Sequence, residues 1–163
     1  MTGARARRSA GIVLYRRPTG GLEVLLGHMG GPFWAKKDAG AWSIPKGEYH
    51  EGDDPFDVAC REFEEEIGCA VPADAFIDLG EVRQSGGKRV RAWAAELAEG
   101  LELDPADGVS NTFEMEWPPR SGRVQSFPEI DRVGWFDLTT AHDTMIAGQR
   151  PLLDRLSDLL GDR

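Results

Sequence analysis

Residues 47–69 read GEYHEGDDPFDVACREFEEEIGC, an acidic, glycine-bearing loop running straight into a strongly marked helix. Asp54 can cap the helix, Pro55 suits a first position that needs no amide hydrogen, Asp57 falls three residues after the cap, and Gly68 can take the left-handed conformation that ends a helix. The spacing predicts a helix over residues 54–67. At about 100° per residue, Phe56, Ala59, Cys60, Phe63 and Ile67 share one arc roughly 100° wide, which should face the core. Glu62, Glu65 and Glu66 share a second arc of similar width on the far side, while Glu64 points away from them.

Three carboxylates on one patch are locally unfavourable, because like charges three or four residues apart cost about 0.2–0.5 kcal/mol each. Their place in the last turns adds to this, since the helix dipole there favours cations by roughly 0.3–1 kcal/mol per exposed charge. Arg61 can reach Glu65 one turn on, but one guanidinium does not neutralise three acids. A hard divalent cation with oxygen ligands, Mg2+ or Mn2+, is the natural compensation.

Working outward, residues 9–15 and 22–26 read as strands joined by the Arg-Arg-Pro-Thr-Gly-Gly turn at 16–21. Residues 27–40 read as a glycine-punctuated loop long enough to be functional, followed by a short strand over 42–44 that stops at Pro45. Beyond the helix, 76–82, 90–97, 112–117 and 133–136 read as strands. Residues 149–160 place Leu152, Leu153, Leu156, Leu159 and Leu160 at helical spacing. Strands on both sides of one central helix, with a closing helix, predict an α/β (α+β type) fold: an α/β/α sandwich with a mixed sheet.

The 163 residues fit one domain, 1–163, with residues 1–8 as a tail. Against 19 basic residues stand 28 acidic ones, a formal charge of -9. That is the wrong sign for a groove that wraps a nucleic-acid polymer, so an anionic substrate needs local cations or clustered lysines and arginines. Cys60 and Cys69, the only cysteines, form no CxxC pair or disulfide framework, which favours a reducing, cytoplasmic setting. No apolar run approaches the roughly 20 residues that cross a bilayer, so no membrane partner is expected.

The run Gly47-x5-Asp53-x7-Arg61-Glu62-Phe63-x-Glu65-Glu66-x-Gly68-Cys69 resembles the Nudix box, G-x5-E-x7-R-E-U-x-E-E-x-G-U, where U is a bulky aliphatic residue. Asp53 stands where the box has Glu, one methylene shorter, and Cys69 where it has an aliphatic residue; Cys is a small hydrophobe when buried. The strand, loop, helix, strand order is similar to the Nudix sandwich over nearly the whole chain. The resemblance implies metal-dependent hydrolysis of a phosphoanhydride bond in a nucleoside diphosphate-linked compound. It implies Glu62, Glu65, Glu66 and the Gly47 carbonyl as metal ligands, with Arg61 and Asp53 completing the catalytic set. A box glutamate, Glu65 or Glu66, is the favoured acceptor for the water proton; Glu114, Glu116 and Glu129 are candidates outside the box.

The lead-in Trp42-Ser43-Ile44-Pro45-Lys46-Gly47 looks like that of members acting on diadenosine polyphosphates or oxidised nucleotides. A dinucleoside polyphosphate such as diadenosine tetraphosphate is therefore the first expectation. A nucleoside triphosphate, ADP-ribose or a nucleotide sugar comes next, and a non-catalytic nucleotide-binding regulatory module is the alternative of another class. The partner expected is a small nucleotide, taken by a monomer or homodimer. Lys46, beside Gly47, is expected near the phosphates, and Lys36 and Lys37 are further cations within reach of the loop. Trp34, Phe33 and Trp117 are candidates to stack on a base, whereas Trp42, Trp93 and Trp135 sit in strand patterns and are expected in the core.

Overall fold

The computed structural model describes residues 7–98 and 112–161. Among these, seven strands form one mixed sheet. At its centre β1 (Arg8–Arg16) runs parallel to β6 (Arg89–Glu96) and antiparallel to β2 (Glu23–Met29) and β4 (Lys46–Glu48). β3 (Trp42–Ser43) and β9 (Ile130–Asp137) pair with β2, and β5 (Phe76–Arg83) closes the other side against β6. β7 (Thr112–Glu116) and β8 (Val124–Pro128) form a separate two-stranded sheet.

Helices cover both faces. β1 is buried from Ala10 to Tyr15 and sends its side chains alternately to two cores, as a central strand covered on both faces must. Ala10, Ile12 and Leu14 pack under α1 (Pro55–Ile67) against Ala59, Phe63 and Ile67. Val13 and Tyr15 pack on the opposite side with Ala141 of α2 (Leu138–Thr144) and Leu152, Leu153 and Leu156 of α3 (Arg150–Leu160). This is the expected α/β/α sandwich. Phe63 is fully buried, and trimming it to alanine would cost about 3–5 kcal/mol.

The α1 signals act as anticipated: Asp54 Oδ1 accepts from the Phe56 amide at 2.9 Å, and Gly68, at φ 95°, ends the helix. Several expectations need correction. β1 begins at Arg8, in the stretch assigned to a tail, because β6 and residue 49 supply hydrogen-bond partners there; Met1 to Ala6 lie outside the described residues. β2 runs on to Met29, into the expected loop, because β9 pairs along it from Glu23 to Met29. Just past the expected stop at Pro45 the chain forms β4 by pairing with β1, and β8 and α2 were not anticipated. On α1, Val58 is buried and Cys60 only half-buried, so the core stripe leans one residue round. Trp42 and Trp93 are buried as expected, while Trp135 is partly buried, with the Arg16 guanidinium 4.2 Å from its ring centroid. No helix among the described residues is long and apolar enough to cross a membrane.

Candidate active site

The carboxylates of α1 meet β4 at the sheet edge. Glu66, expected on the far side of α1 from the core stripe, is instead 6% exposed, and its Oε2 accepts the Lys46 amide at 3.3 Å. Glu62 is pressed against Gly47 so closely that a Cβ at that position would overlap its carboxyl carbon. The glycine is thus required by the approach of helix to strand. Arg61 lies 3.8 Å from both Glu62 and Glu65, partly balancing the two more exposed acids.

Burial and crowding raise the proton affinity of Glu62, Glu66 and Glu129. Burial pushes Glu66 up to about 8, against the pull of Lys46 and with the push of Glu62. Glu62 is raised by burial and by the charge of Glu65, and Glu129 by burial and again by Glu65. Burial also lowers the Lys46 ammonium, opposed by Glu66. Carboxylates held in this condition gain most from a cation that restores their charge.

Glu129, in the turn between β8 and β9, is the acid outside the helix that faces this group. Glu114 and Glu116 are exposed on β7, and Glu116 accepts from the Gly122 amide. Asp53 is spent locally, its Oδ2 accepting the His50 amide at 2.9 Å. It lines a wide cavity on the outer side of the loop with Arg7, Arg8 and Arg89, which contains none of the three α1 glutamates.

A second cavity, of about 270 Å3, opens beside Glu66, Glu129 and Lys46. Its apolar lining comes from Trp34, Phe113, Met29 and Ile130, with Ser43 and Ile44 at the base. The cavity brings Lys46, Trp34 and Glu66 together. Lys37 reaches the cavity only through Trp34, its Nζ 5.5 Å from the ring centroid, and Lys36 is exposed outside the lining. Phe33 is 60% exposed and meets Trp117 edge to face at 5.4 Å; neither lines the cavity. Phe113 was missed, since only the long-range docking of β7 beside Gly31 brings it here.

The donor set fits a hard divalent cation: oxygen ligands, incomplete neutralisation and a glycine backbone pressed against Glu62. Among the described residues no three histidine, cysteine, aspartate or glutamate side chains are already close enough to hold a metal ion between them.

The sandwich and the capped, carboxylate-bearing α1 together define the Nudix class of fold. The sequence matches the NUDIX domain family over residues 5–156, and the chain belongs to that family. Solved structures share the fold. Caenorhabditis elegans Ap4A hydrolase, in a binary complex, superposes with a TM-score of 0.64 at 24% identity, over 94% of this chain and 98% of that one. The NUDIX domain of Shewanella oneidensis NrtR, complexed with ADP ribose, gives 0.61 at 16% identity, over 97% and 90%. A mutT/nudix family protein from Listeria innocua gives 0.60 at 18%, over 99% and 96%. At these identities the likeness is one of fold.

Proposed function

We propose that this Nudix hydrolase cleaves a phosphoanhydride bond in a small nucleoside diphosphate-linked compound, with a dinucleoside polyphosphate such as diadenosine tetraphosphate as the first candidate. The observation that carries the reading is the junction of two unlike walls. A charged one, with Glu66, Glu129 and Lys46, borders an apolar one with Trp34 and Phe113. A nucleotide has the same division between phosphates and base.

In this reading Glu62, Glu65, Glu66 and the Gly47 carbonyl hold Mg2+ or Mn2+, which when bound neutralises phosphate oxygens and makes a coordinated water more acidic. Lys46 contributes a positive charge beside the phosphates. Trp34 and Phe113 take the base, a contact worth about 1–3 kcal/mol per stacked base. Glu65 or Glu66 accepts the proton from the attacking water, with Glu129 the acid outside the box placed to assist. Asp53 supports the loop ahead of α1 through His50 rather than touching substrate. We read the chain as one domain acting in the cytoplasm as a monomer or homodimer, a setting in keeping with its two free cysteines.

The test is incubation of the protein and Mg2+ with a panel of diadenosine polyphosphates, nucleoside triphosphates, ADP-ribose and nucleotide sugars, with products resolved chromatographically. Metal-dependent cleavage of one class is the expected result. Nucleotide-induced thermal stabilisation without any product would instead select a regulatory, non-catalytic role.

A further inference from the structure

His28, in β2, is fully buried and takes no part in the chemistry described so far. Its Nε2 lies 2.6 Å from the Lys37 carbonyl and its Nδ1 lies 2.7 Å from Oδ1 of Asp131 on β9. A carbonyl only accepts, so Nε2 carries a proton. At the other end of the ring the Asp131 carboxylate oxygen is the partner of Nδ1. The ring is thus a strut with a bond at each end.

Its surroundings hold it in place. Trp42 meets the ring edge-on with centroids 5.2 Å apart. Trp42 Nε1 donates to Asp38 at 3.2 Å, and Arg132 stands 3.7 Å from Asp131 and 3.9 Å from Asp38. The two ends of the strut lead to the cavity. Lys37 closes a turn by donating its amide to the Trp34 carbonyl, and the Trp34 amide donates to Gly31. Asp131 follows Glu129 by two residues, and the Glu129 carbonyl accepts the Gly30 amide at 2.8 Å.

We propose that His28 is a positioning residue for substrate: by tying the Trp34 turn to the start of β9, it sets the gap between the aromatic and Glu129 sides of the cavity. This rests on the nucleotide reading of that cavity. His28 itself touches no substrate, so its loss should weaken substrate binding far more than it slows the chemical step.

The experiment joins hydrogen–deuterium exchange of the intact protein, which needs no substrate, to steady-state kinetics with the nucleotide turned over best. His28→Ala and Asp131→Ala are each expected to speed exchange at the Trp34 and Lys37 amides by about tenfold or more. Both should raise KM about tenfold while kcat changes by less than about threefold. His28→Gln keeps an N–H donor towards Lys37 and should recover part of the KM. Asp131 is partly exposed, its side chain 29% accessible, so its alanine variant decides the matter even where His28→Ala does not fold. Unchanged exchange in Asp131→Ala overturns the strut, and unchanged KM, or a loss confined to kcat, overturns the positioning role. If the wild type cleaves none of the panel, the proposed function fails, while the exchange rates still decide the strut.

Discussion

The two walls of the site are built in opposite ways. The charged wall comes almost entirely from one contiguous segment, 46–66, in which β4 and α1 are joined by a short capped loop, and only Glu129 is imported. The apolar wall is assembled from Met29 and Trp34, from Phe113, and from Ile130, side chains that meet only after β7, β8 and β9 have docked. The contrast separates chemistry from selectivity. A carboxylate group that must be held to tight geometry is placed on a rigid helix, while recognition is left to connecting segments free to vary.

Substitution in the charged wall should have the largest effect. Glu65→Gln and Glu66→Gln are each expected to lower kcat by about 10²–10⁴-fold with the melting transition retained, measured by single-turnover hydrolysis and calorimetry. Full activity in both variants would break the division of labour between the walls. Glu129→Gln sharpens it: a loss as deep as that of the box variants would make the imported acid the proton acceptor.

The apolar wall should respond more mildly and in a different parameter. Trp34→Ala and Phe113→Ala are expected to raise KM by about 5- to 100-fold through lost stacking, with kcat little changed. A kcat-only defect would place the base elsewhere.

Smaller again is the effect of pH on the metal-free protein. Glu66 is raised from an ordinary value of 4.5 to about 8 in the folded state, so between those values the folded protein binds more protons than the unfolded chain. The contribution of the protonated group is complete below about 4.5 and is lost as pH rises through about 8. Metal-free melting temperature should therefore fall between pH 5 and pH 8.5, by an amount that Glu66→Gln removes and that Mg2+ offsets. A melting temperature independent of pH in the metal-free wild type would show that Glu66 is not held protonated.

The smallest effect is expected at Asp53. Its carboxylate serves the His50 turn, so Asp53→Glu should change kcat/KM by less than about threefold, measured on the same substrate.

How far the site was legible follows the same boundary. The N-cap, the proline and the terminal glycine of α1 are local signals, and they place Glu62, Glu65 and Glu66 together from sequence alone. The burial of Glu66 was legible only in part: at about 100° per residue it stands beside Ala59 at the border of the core stripe, but the Lys46 amide it accepts across the β4 contact is not encoded in the helix. β4 itself hides behind Pro45 and Gly47, which read as a turn until β1 offers it partners. Phe113 and Glu129 belong to distant segments whose approach no local pattern encodes. α2 has seven residues and one buried side chain, Ala141, too short to show a periodic face. His28 gave no signal at all, since a lone histidine beside a glycine in a strand looks the same whether it is bonded twice or not.

The central claim is that the α1 carboxylates are assembled to hold a divalent cation against a nucleotide. Titration of the metal-free protein with Mn2+, following the free ion by electron paramagnetic resonance with and without nucleotide, tests it most directly. Saturable uptake that strengthens with nucleotide and disappears in Glu62→Gln/Glu66→Gln is the expected result. Equal uptake by the wild type and that variant, or none by either with nucleotide present, would contradict it.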